Sequence, residues 1–285
     1  MAAGRPGAEG RSKHMGRGSL RRPAAALPLA LLLAALGPAV VLSGPAAAPS
    51  APADRPGPPS LDTDPHLAGW WKFDDASGTA AADSSGHGRG GALEGGLSFE
   101  KSSAPGRLGK ALRFDGKGGY VRIAGYKGVT GTAPRTVAAW IRTAAPKGEL
   151  VSWGLDDAGR MWILGFIRSR VGVTPRGGYL YMDAALSDDA WHHAAAVVAE
   201  AKPPNLHDHV RLYADGAPAR IHDIGLLDLW PIDTGGELEV RIGRNFSGLL
   251  DDVRIYDRAL SQDEVKTLAA GGAAAGGEAA GGAAK

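Results

Sequence analysis

Three groupings of side chains in this 285-residue chain have types and spacings that chemistry could use. Glu237-Leu238-Glu239 sets two carboxylates two residues apart, so that on a strand they would share one face. Glycoside hydrolysis with retention needs such a pair about 5 Å apart, one acting as acid and the other as nucleophile. His192-His193 offers two imidazoles, but neighbours on a strand point to opposite faces. One is expected inside and one outside, and a packed aromatic cluster with Trp191 is preferred over a metal or base pair. His207-Asp208-His209 would bring two rings to one side if extended. Two imidazoles with no cysteine and no third histidine nearby make a poor metal site, so a solvated loop is expected there.

Aromatic side chains are the other candidates, because flat rings stack on sugars and also anchor protein contacts. Trp70, Trp71, Trp140, Trp153, Trp162 and Trp191 fall within apolar runs, where the core is the default. Trp230, Tyr126 and Tyr179 fall in loops and are expected to border a carbohydrate- or protein-binding surface. Asn245-Phe246-Ser247 fits the glycosylation sequon, which matters only in a host that glycosylates.

The elements that must hold these residues read as short strands. In Thr136-Val137-Ala138-Ala139-Trp140-Ile141-Arg142, Val137, Ala139 and Ile141 share one face, and Ala138, Trp140 and Arg142 the other. Both faces are mainly apolar or small, as suits an interior strand of a two-layer sandwich. Comparable runs recur at 149–153, 161–167, 170–174, 179–182 and 192–198, parted by Gly, Asp and Pro turns, and predict about twelve antiparallel strands. Leu250, Val253, Ile255 and Tyr256 form a buried closing strand with an acidic start at Asp251-Asp252. Ser261-Gln262-Asp263-Glu264 then has the capping-box spacing, and Val265, Leu268 and Ala269 give a one- to two-turn helix that Gly271-Gly272 ends.

Composition limits what else the chain can be. The ends are so biased that only the middle can bury a core, which favours one sandwich of about 200 residues. Cysteine is absent, which excludes a disulfide framework, a zinc-thiolate cluster and a thiol nucleophile. Residues 1–46 carry six basic residues ahead of Leu29–Leu36 and then Gly37-Pro38, the order of a signal peptide or a retained signal anchor. Either Met1 or Met15 could be the start. Residues 47–65, rich in Pro and Ala, read as an extended spacer, and 271–285 as a Gly/Ala tail too poor in side chains to fold. Without the leader, 26 basic stand against 29 acidic residues, and no basic stripe alternates with aromatics. Nucleic acid is disfavoured as a partner.

Several of these segments, taken in order, resemble the laminin-G-like, concanavalin A-like jellyroll domains. The resembling patterns are Leu67–Asp74 with Asp83-Ser84-Ser85-Gly86, Gly109–Gly116, Thr136–Arg142, Trp191–Ala195, Val210–Gly216, Leu238–Gly243 and the closing Val253-Arg254-Ile255-Tyr256. The resemblance covers residues 66–270 and implies an all-β, two-sheet antiparallel β-sandwich with a short C-terminal helix. Related glucanases carry E-x-D-x-E on one strand, a pattern missing here, so a non-catalytic module is expected. Many relatives hold a structural Ca²⁺ with an aspartate of the closing strand. By that resemblance Asp251 is the expected ligand, with Asp74 or Phe73 and the turn at Gly116 as partners; without metal, Asp251 would cap a turn. The resulting expectation is an exported recognition or adhesion module, secreted or in the periplasm or cell envelope. It would be a monomer that binds carbohydrate or an envelope protein and touches membrane only through a retained anchor. A glycan-active enzyme and a purely structural envelope domain are the alternatives.

Overall fold

A computed structural model describes residues 60–222 and 230–271; the leader, most of the spacer and nearly all of the tail lie outside the described residues. Seventeen strands occur among them: β1 (Leu67–Trp71), β2 (Ala80–Ala81), β3 (Gly91–Glu94), β4 (Ser103–Pro105), β5 (Lys110–Asp115), β6 (Tyr120–Ile123), β7 (Arg135–Arg142), β8 (Glu149–Gly154), β9 (Met161–Ile167), β10 (Arg170–Thr174), β11 (Leu180–Met182), β12 (Trp191–Val198), β13 (Val210–Ala214), β14 (Ala217–Pro218), β15 (Ile221–His222), β16 (Leu238–Ile242) and β17 (Ser247–Tyr256). Two-residue strands such as β2, β14 and β15 leave no alternation to read, which accounts for part of the excess over twelve. Helices α1 (Phe99–Ser102) and α2 (Leu206–His209) are single turns, and α3 (Gln262–Ala269) is the expected closing helix.

The strands form two antiparallel sheets. One has eight strands in the order β14-β13-β12-β7-β17-β5-β4, with β1 also paired to β17; the other has nine, β15-β11-β10-β9-β8-β16-β6-β3-β2. Between them lies the main core, to which β7 sends Val137, Ala139 and Ile141 and β17 sends Leu250, Val253 and Ile255. The alternation in β7 falls as the period of two requires, since Ala138 belongs to a second cluster on the far side of the eight-stranded sheet.

That second cluster closes the far side. Trp70, Tyr213 and Tyr256 are covered there by Val265 and Leu268 of α3 and by Leu61 of a short 3₁₀ turn, Leu61–Thr63. The capping box starts α3 as its spacing predicted: Ser261 Oγ accepts from the Glu264 amide, and Glu264 accepts from the Ser261 amide at 2.7 Å. Residues 60–65 belong to this fold rather than to the spacer, because Leu61 is buried and Asp62 and Asp64 pair with Arg254 and Arg258 of the closing segment. The two ends of the domain thus meet on β17, where Leu67 of β1 stands opposite Tyr256. The outer side of the nine-stranded sheet has no such cover among the described residues.

Candidate functional site

The open side of the nine-stranded sheet carries the aromatic residues best placed for recognition. Leu180 and Met182 of β11 point into the core, so Tyr181 turns to the other side, 7% exposed, with its ring stacked 6.0 Å from that of Tyr179, which is partly buried against the core. Tyr181 stacks in turn on His222 of β15 at 5.0 Å, and the Arg168 guanidinium lies 5.4 Å from the Tyr179 ring. Trp230 is 48% exposed and rests over the β10–β11 turn, where a side chain on Gly177 would strike its indole. Gly177 has φ +86°, a conformation that favours glycine, so the turn and the bare seat for the indole come from one residue. Tyr179 leaves that same turn two residues later.

Strand register defines the rest of this surface. One row across it runs Tyr181, Gly172, Gly165, Glu149, in which the two glycines put no side chain on the floor. The next runs Thr174, Ile163, Ser152, Arg241, Arg122, Ala92. Four strand spacings, about 19 Å, separate β11 from β16. On the β16 side, Arg122 is held by Glu94 at 3.0 Å and Glu239 at 3.1 Å, and Glu149 by Arg244 at 3.1 Å and the Ser152 hydroxyl. A depression of about 290 Å³ opens there between Tyr120, Arg122, Lys127, Glu237, Glu239 and Arg241.

Glu237 and Glu239 differ in their settings. Only Glu239 lies on β16; it accepts from the Gly125 amide at 2.9 Å and from Arg122, and these bonds lower its pKa. A general acid needs the opposite shift. The raised carboxylate is Asp251, pushed up to about 7 by burial, and it is inaccessible to a substrate. The histidines behave as structural groups: His193 is buried edge-on against Trp140 at 5.3 Å, and burial lowers its pKa to about 4. His192 lies between Asp188 at 3.0 Å and Asp215 at 2.9 Å. His207 and His209 sit in the single turn α2 rather than in an extended loop, so the alternation that would align their rings is lost.

The remaining expected site residues are dispersed. Tyr126 is buried beneath Arg89, whose guanidinium lies 4.1 Å from the ring, and burial raises the phenol pKa to about 12, so Tyr126 offers no stacking face. Asp251 and Asp74 do meet, at the loop from Gly106 to Lys110: Asp251 Oδ2 accepts from the Arg107 and Leu108 amides, both at 2.7 Å, and Asp74 from the Lys110 amide at 2.6 Å. Gly116 does not join them. It lies past the β5 end where Asp115 faces Ser247, five residues and about 17 Å along the strand from the level of Asp251. Calcium needs six or more oxygen ligands, whereas here the loop aims N–H donors at the carboxylates. Among the described residues no three His, Cys, Asp or Glu side chains converge for a metal. Asp251 Oδ2 caps the turn, while its Oδ1 is buried without a hydrogen-bond partner.

The neighbouring acid links the domain's ends. A bulge at Asp251–Arg254 keeps Leu250 and Val253 both in the core, with Asp252 at φ +50°. Asp252 then accepts from the Trp70 indole and, at 3.0 Å, from Arg254. Sequence reasoning missed Tyr181, His222 and Arg241. The alternation in 179–182 already set Tyr181 beside Tyr179, whereas His222 and Arg241 depended on cross-strand register.

The family model for the concanavalin A-like lectin/glucanases superfamily, Laminin_G_3, matches residues 115–266. Comparison with curated proteins gives no match. Among solved structures, domain 4 of AbnA, an extracellular GH43 arabinanase from Geobacillus stearothermophilus determined with arabinotriose, aligns at 20% identity over 71% of this chain and 98% of its own, with a TM-score of 0.52. The IT-sialidase CBM40 of Ruminococcus gnavus aligns at 18% identity over 56% of this chain and 96% of its own (TM-score 0.43). The botulinum neurotoxin serotype D binding domain aligns at 13% identity over 74% of this chain and 51% of its own (TM-score 0.46).

Proposed function

The chain belongs to the concanavalin A-like lectin/glucanase superfamily, and from that premise we propose that it is an exported, non-catalytic module that recognises carbohydrate on the open side of its nine-stranded sheet. The observation that carries this reading is the exposed Trp230 indole, held over the β10–β11 turn beside the Tyr179–Tyr181–His222 row. An exposed indole of this kind gains little for folding and provides a flat apolar face for a sugar ring. The Tyr179 hydroxyl adds a directional hydrogen bond, and the glycine floor lets a ring approach the backbone. The arabinotriose complex of AbnA domain 4, on the same fold, supports carbohydrate as the ligand class. The basic-then-apolar leader supports export, and the pairing of Glu239 with Arg122 supports a binding role.

A glycan array and a pulldown on insoluble cell-wall polysaccharide test the proposal. Wild-type protein is expected to retain at least one glycan, and Trp230→Ala to lower that retention about tenfold at an unchanged melting temperature. Retention unaffected by Trp230→Ala and Tyr179→Ala together would remove this surface from the account.

A further inference from the structure

On the same open surface, Arg241 makes no ion pair, although the charges of Glu149 and Asp156 act on it. It stands near the middle of the nine-stranded sheet, with Arg122 directly opposite on β6 and Ser152 directly opposite on β8. Like charges facing each other across strands are destabilising. Glu94 and Glu239 hold Arg122, and Glu149 holds Arg244 and the Ser152 hydroxyl, while Glu237 lines the same depression without bonding Arg241. The Arg241 Nε is buried with no partner, and among the described residues no carboxylate bonds its guanidinium. A charged group partly withdrawn from water and left unpaired is costly to the fold, and such a cost calls for an explanation. Burial lowers the pKa of Arg241, in keeping with that cost.

Contrast within one sheet sharpens the point. Arg122 has two carboxylates within 3.1 Å, so the fold can satisfy a guanidinium here and leaves only its neighbour open. Arg241 also borders the depression of about 290 Å³, which Tyr120 lines as well. A guanidinium fork matches the two oxygens of a carboxylate, and a tyrosine ring supplies the flat contact for the pyranose that bears it.

We infer that Arg241 and Tyr120 form a subsite for a uronic acid, with the guanidinium receiving the sugar carboxylate and the ring packing on the pyranose. The inference rests on the carbohydrate reading above and adds the ligand class. Glu237 and Glu239 at the rim disfavour a polyanion of high charge density, so isolated carboxylates spaced one per sugar suit the site better than a phosphate or sulfate chain.

Isothermal titration of the wild-type domain with tri-galacturonate, its full methyl ester and neutral arabinotriose tests the inference, alongside Arg241→Gln. The acid is expected to bind at least tenfold more tightly than the ester, and to weaken as salt is raised. Arg241→Gln should erase that preference while melting no lower than wild type, because it removes an unpaired charge. Acid and ester binding equally, or Arg241→Gln retaining the preference, overturns the subsite; arabinotriose binding alongside either result leaves the carbohydrate reading standing. Failure of all three saccharides to bind counts against both. The acid–ester comparison uses wild-type protein alone and stands even if the variant fails to fold.

Discussion

Two arginines on the outer sides of the two sheets show how differently this sandwich treats its surfaces. Arg254, on the eight-stranded sheet, is 2% exposed, lies 3.9 Å from the Trp70 ring and bonds Asp252 at 3.0 Å and Asp62 at 2.6 Å. Arg241, on the nine-stranded sheet, has none of these partners. The difference comes from the chain ends: the 3₁₀ turn and α3 bring Asp62 and an apolar lid to one sheet, and no described segment reaches the other. One side is closed by its own sequence, and its charges serve the fold. The other keeps a charge and the exposed Trp230 indole available.

The strongest way to break this comparison is Arg254→Met. It leaves Asp252 buried and uncompensated, at an expected loss of about 3–5 kcal/mol. For a domain of this size that is a fall of roughly 10 °C in melting temperature, and a fall under about 2 °C would mean that the covered side is not held by its ion network. Asp251→Asn acts next, through pH. The Asp251 pKa is pushed up to about 7 from an ordinary 3.8, so the folded protein keeps a proton that the unfolded chain has released, and stability falls as pH rises through that window. Asp251→Asn should flatten this slope between about pH 4 and 7 in denaturation curves, and a chelator should leave the melting temperature unchanged.

Smaller effects sharpen the contrast. Glu264 is held down to about 2, chiefly by its hydrogen bonds to Arg258, so its contribution is complete above about 4.5 and is lost as pH falls toward 2. Glu264→Ala also removes half of a capping box, and about 1 kcal/mol is expected for this partly exposed group at neutral pH. On the open side, Glu239→Gln should change stability by less than about 1 kcal/mol, because its partner Arg122 is well exposed. A larger loss there would show that the open sheet, too, depends on its ion pairs.

Much of the architecture was legible because it is local. The two faces of β7, the split of His192 from His193, the run into β17 and the Ser261–Glu264 cap all follow from periodicity and spacing. The site was less legible because it depends on what covers what. Tyr126 reads as a loop aromatic until Arg89 is seen over it, and Gly116 reads as a neighbour of Asp251 until the β5–β17 register separates them. Arg241 looks like any strand arginine until its neighbours on β6 and β8 prove to be another arginine and a serine that donates to Glu149. Leu61 lies in a Pro-rich stretch, and only its packing beneath the closing helix shows where the domain begins.

The central claim, that one side of the sandwich is closed by its own chain and the other is the recognition surface, is tested most directly by the indole N–H resonances during titration with saccharide. Trp230 reports on the open side, and Trp70 and Trp140, with side chains on the outer surface of the eight-stranded sheet, report on the closed one. Saturable shifts at Trp230 with Trp70 and Trp140 unmoved are predicted. Shifts at Trp70 or Trp140 with Trp230 unmoved would contradict the account.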